Sequence, residues 1–134
     1  MPTVLTQPHV SQVNQTVVRQ YTTTWTSNAS GVASDTINLV QGGELVGVQF
    51  APGTSGNQPT DAYDVTVLDA YNFDVLMGQG ANLSNSTVTK VCPTIAAKDG
   101  TTTSTGPQPV SGTLTVAVSN AGNTKSGTIV FWVR

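Results

Sequence analysis

Charge and reactive chemistry are scarce in this chain. Its 134 residues include five basic and seven acidic side chains, one histidine and one cysteine. Five scattered basic residues on a chain of net charge -2 cannot neutralise a phosphate track, which argues against nucleic acid as a partner. One cysteine excludes an intrachain disulfide and with it a disulfide-scaffold fold. Cys92 lies between Val91 and Pro93 and is expected to be a small buried hydrophobe rather than a reactive thiol. No apolar run approaches the roughly 20 residues of a membrane-spanning helix. The N-terminus, MPTVLTQPH, lacks the basic start and apolar stretch of a secretion signal, so the expected site of synthesis is a cytoplasm.

What remains is mostly Thr, Val, Gly, Asn, Ser, Ala and Gln in short alternating runs. Thr and Val suit the pleated, half-buried surface of a sheet, whereas Gly, Asn, Ser and Pro punctuate it. Residues 1–16 show no sustained period and read as an extended arm carrying Val4, Leu5, Val10 and Val13. Alternation begins at Val17 and places Tyr21 and Trp25 on one strand face. A turn at 27–31 leads to a strand at 36–40. Gln41-Gly42-Gly43-Glu44 then signals a tight hairpin, with 45–50 pairing back and Val46, Val48 and Phe50 inward. Gly47 marks a bulge or a close approach.

After a loop at 51–60, residues 62–69 form a strand with Tyr63, Val65 and Val67 on one face; short strands follow at 74–77 and 87–92. Residues 93–109 read as a second long loop. Two strong strands close the chain: 110–119, with Leu114, Val116 and Val118 inward, and 127–134, with Ile129, Phe131 and Val133 opposite Val130 and Trp132. About eight strands at this spacing predict an all-β domain over 17–134, an antiparallel β-sandwich of jelly-roll type. The immunoglobulin alternative lacks its Cys–Trp–Cys spacing.

Chemistry has few places to reside. Asp61, Asp64, Asp69 and Asp74 form the one acidic concentration. They lie on a strand–turn–strand unit rather than one ligand loop, which predicts hydrogen bonds to turn backbone instead of a metal or a general acid–base pair. His9, in the arm, has no Gly-x-Ser-x-Gly elbow to serve, and one His with one Cys is too few for zinc. Gly42-Gly43 and Gly78-x-Gly80 lack the helix and Lys of a phosphate cradle. The sequons at Asn14, Asn28, Asn82 and Asn85 follow from composition. No cofactor is expected, and the chain reads as non-enzymatic. Tyr71 and Trp132 are the candidate exposed anchors, because Trp132 faces away from its strand's apolar side.

Five segments, GELVGVQFAPG (43–53), PTDAYDVTVLD (59–69), DVLMGQGANLS (74–84), PVSGTLTV (109–116) and GTIVFWV (127–133), resemble small structural proteins of tailed bacteriophages. The resemblance is to the short β-sandwich cement, or decoration, proteins of icosahedral heads and covers about the last two-thirds of the chain. It implies a protein made in the host cytoplasm and carried on the virion capsid exterior. Its partner would be the major capsid protein, with self-association as a dimer or trimer and the arm lying along the shell or a sister subunit. It implies no catalytic residue. Related phage proteins serve at the head–tail joint, which is the first alternative. A carbohydrate-binding sandwich using Tyr71, Trp132 and the loops 78–86 and 99–108 is the second.

Overall fold

The computed structural model describes residues 17–134 except 97, 100 and 102. The described strands are β1 (Arg19–Thr26), β2 (Ala33–Pro52), β3 (Asp64–Leu68), β4 (Thr89–Val91), β5 (Thr94–Ala96), β6 (Thr103–Thr105), β7 (Gln108–Ser119) and β8 (Ser126–Val133). Every pairing is antiparallel. The main sheet runs β1-β8-β2-β7-β3 with β4 on the free side of β2, and β5 and β6 form a separate pair. This is the all-β, antiparallel sandwich expected from the alternation. The jelly-roll path is a finer description than this strand order specifies.

The organising element is β2, twenty residues long. Its first part pairs with β7, from Ala33↔Val118 to Leu39↔Gly112, and its second with β8, from Leu45↔Val133 to Pro52↔Gly127. The expected hairpin at Gly42-Gly43 is therefore absent; the two glycines are a bend within one strand. Between Leu39 and Gly43, four steps along β2 match two along β7, so the extra residues bulge out and turn the strand. Gly42 and Gly43 have φ of 61° and 148°, which only glycine adopts readily. At Gly43 a side chain would also collide with the Arg134 carbonyl, the acceptor for the Glu44 N–H at 2.7 Å.

The bend folds the sheet over a single core. Trp25, Ile37, Leu45, Val48, Phe50, Tyr63, Val65, Val67, Leu114, Val116, Phe131 and Val133 are all buried within one cluster, drawn from both halves. Trp25 and Tyr63 meet with ring centroids 5.6 Å apart. Burial holds the Tyr63 hydroxyl in its neutral form and pushes its pKa up to about 12. Side chains stitch β1 to the first part of β2. The Thr23 hydroxyl donates to the Asp35 carboxylate, and Arg19 donates to the Gln41 side chain (3.2 Å) and the Gly42 carbonyl (2.8 Å). The Thr23 bond, then the Thr36 N–H, hold the Asp35 carboxyl below its ordinary range against a small opposing effect of desolvation.

Three further expectations need correction. A second register shift between Leu45 and Gly47 puts Leu45, not Val46, into the core: Leu45 is fully buried and Val46 only partly so. The bulge expected at Gly47 is real, and it inverts the alternation upstream of itself. Residues 74–77 form a turn rather than a strand, because the Asp74 carboxylate accepts N–H bonds that close the chain on itself; Val75 and Leu76 are buried nonetheless. The supposed loop 93–109 contains the β5–β6 pair.

Candidate functional site

The aspartates are structural. Asp74 accepts from the N–H groups of Val67 (3.2 Å), Leu76 (3.1 Å) and Gly78 (3.0 Å). Asp64 accepts from the Asn82 N–H (2.8 Å) and the Asn120 amide (2.6 Å), and Asp61 from the Asn85 N–H (3.2 Å). Asp69 accepts from the N–H groups of Tyr71 (2.8 Å) and Phe73 (3.0 Å). Each carboxylate thus satisfies backbone donors of its own loop cluster, which is what Asp does well in turns. Among the described residues no group of three or more His, Cys, Asp or Glu side chains could hold a metal ion. No helix among them is long and apolar enough to cross a membrane.

The turn closed by Asp69 has a second consequence. The Asn72 N–H donates to the Asp69 carbonyl and the Asp69 N–H to the Phe73 carbonyl, each at 3.0 Å, while Asn72 takes a φ of 62°. Four hydrogen bonds in five residues hold Tyr71 outward at 90% exposure, with Phe73 beside it at 45%. A cleft of about 90 Å³ lies at its foot, lined by Asp69, Ala70, Pro109, Val110 and Ser111. An aromatic ring held by a rigid turn loses little freedom on meeting a partner.

Trp132 occupies the outer face of the other half. Its strand partners are Gln20 on β1 and Gly47 on β2, and β4 continues the same face through Lys90, with Cys92 just past the end of β4. Val130, two residues before Trp132 on that face, is covered to 8% exposure yet stands apart from the core cluster. Val18, Val46, Gly47, Lys90 and Trp132 line a hollow of about 200 Å³. The Lys90 ammonium sits 4.3 Å from the centre of the Trp132 ring, a cation–π contact that steadies the indole. A methyl at Gly47 would stand 3.4 Å from the ring edge, an ordinary van der Waals contact. A second hollow, lined by Val46, Cys92, Thr105, Gly106, Pro107 and Arg134, adjoins the first through Val46.

Cys92 is exposed, against expectation. Val91 faces inward opposite the buried Val48, so the pleat turns its successor outward. Tyr71 and Trp132 line separate hollows, and residues 78–86 line neither. The expected interface residues Val4, Leu5, Val10 and Val13, with His9, lie outside the described residues. Sequence reasoning missed Val18, Val46 and Lys90. Lys90 was legible as an outward position on the 87–92 strand, but Val46 was assigned inward because the Gly47 bulge was not carried through the alternation. Comparison with known families and with curated proteins finds no family model and no curated protein that matches this chain.

Proposed function

We propose that this chain is a non-enzymatic structural protein of a tailed-bacteriophage head, binding the outer surface of the capsid and stabilising it. The observation that carries the reading is the rigid presentation of Tyr71, 90% exposed on a turn whose polar groups bond to one another. Such a ring suits burial against a protein surface, where tyrosine and tryptophan supply much of the binding energy. The low charge of the chain suits permanent contact better than electrostatic steering. The phage-like segments 43–53, 59–69, 109–116 and 127–133 make up much of β2, β3, β7 and β8, so the resemblance rests on the strands that build the core.

Mechanically, such a protein acts by adding association free energy where shell subunits touch. A specific patch buries about 800 Å² per partner. One molecule, or a dimer or trimer, that engages two major capsid subunits gains further through effective concentration. The test is the position and copy number of this chain in purified particles. Hundreds of copies on the shell exterior, lowered by Tyr71→Ala, are expected. A single ring of about a dozen copies or fewer, as a cyclic joint would hold, overturns the reading in favour of a head–tail connector. Absence from particles, with binding to a glycan array, overturns it in favour of a carbohydrate-binding module.

A further inference from the structure

The geometry points to residues 1–16 of the same chain as the occupant of the Trp132 hollow. The first argument is where that segment ends. Val17 and Val18, the first described residues, are 68% and 53% exposed, and Val18 itself lines the hollow. The sixteen preceding residues are therefore tethered to its rim. Fully extended they would reach roughly 50 Å, whereas the four strands β1, β8, β2 and β4 that carry this face span roughly 15 Å. Reach is ample.

The second argument is chemical. Residues 1–16 contain no Asp, Glu, Lys or Arg, and their apolar side chains include Val4, Leu5, Val10 and Val13. The stretch 10–16, beyond His9, has no ionisable side chain and can lie across an indole without burying a charge, and the Lys90 ammonium keeps its access to water at the edge. Between Val13 and Val17 stand Asn14, Gln15 and Thr16, polar residues of which Asn favours chain reversal. A reversal at this point would let Val13, then Val10, reach back toward Trp132 and Val46.

Size decides between this segment and a separate molecule. Five residues line this hollow of about 200 Å³, whereas a stable interface between free partners takes roughly 20–30 residues a side. A free partner must also offset several kcal/mol of lost translational and rotational freedom. A tethered segment pays only the closure of a loop of a few residues, which grows slowly with length. The same chain's arm is thus the occupant that so small a surface can hold. Trp132 then belongs to the fold of the free protein, and Tyr71 is left as the outward anchor. The inference does not depend on what the protein binds.

Collisional quenching tests it, since Trp25 is buried at 5% exposure and acrylamide reads Trp132. In the full chain Trp132 is expected to be shielded equally at high and hundredfold-lower protein concentration. In the full-length double variant Val10→Asp, Val13→Asp the quenching constant is expected to rise about twofold as the covered population empties, with an unchanged β-sheet circular dichroism spectrum. Equal quenching in both chains overturns the proposal. Shielding lost on dilution, alongside a sedimenting dimer, also overturns it, because the arm would then come from a second copy. Should the variant misfold, the unaltered chain decides: nuclear Overhauser contacts from the Val10 and Val13 methyls to the Trp132 indole are required, and their absence overturns the inference.

Discussion

At the scale of single residues, polar side chains in this protein mostly serve the backbone. Asp74 shows it best, since one carboxylate closes the turn that buries Val75 and Leu76. Asp74→Ala would leave three N–H donors without that partner and should lower unfolding free energy by about 2–3 kcal/mol. Asp74→Asn, which keeps an acceptor oxygen, should lose less. Urea denaturation measures both, and an Asp74→Ala loss below about 0.5 kcal/mol would contradict the capping role. Tyr63 gives a second prediction. Its hydroxyl is neutral in the fold up to about pH 12, whereas in the unfolded chain it ionises near 10.0. A raised folded pKa means that stability is full below the unfolded value and falls as pH rises through this window. The loss reaches about 2–3 kcal/mol at the top of it. Tyr63→Phe should flatten that alkaline limb in melts from pH 9 to about 12; an unchanged slope would refute the assignment.

At the scale of elements, alternation was legible wherever a strand stayed regular. Leu114, Val116 and Val118 on β7, Tyr63, Val65 and Val67 around β3, and Ile129, Phe131 and Val133 on β8 all face the core as their spacing demanded. It failed at β2 because Gly42-Gly43 suits either a hairpin turn or a bend, and local sequence contains no partner to choose between them. The choice was made by β7 and β8, distant in sequence, which take successive parts of β2. β8 lies between β1 and β2 and buries Ile129, Phe131 and Val133. Removing residues 131–134 should therefore abolish folding, since each large apolar truncation costs about 3–5 kcal/mol. A soluble 1–130 chain with a sheet spectrum and a cooperative melt would show that β8 is dispensable.

At the scale of the whole molecule, the two aromatic positions differ in kind: Tyr71 stands on the turn after β3, and Trp132 on the outer side of β8. Exposure of Tyr71 was foreseeable, since the Asp69-to-Phe73 stretch is a turn in any reading and a turn projects its middle residues. The surroundings of Trp132 were not. Val18, Val46 and Lys90 come from β2, β4 and the approach to β1, and a bulge one residue from Val46 set which way it points. The amino-acid sequence alone determined the class of the fold, the inward set of most strands and the structural use of the aspartates, because these follow from short-range periodicity and turn chemistry. Tertiary structure alone decided the path of β2, the exposure of Cys92 and the make-up of the Trp132 hollow. Register between distant strands depends on contacts formed once the chain has closed, and a single bulge reverses the face of every residue before it.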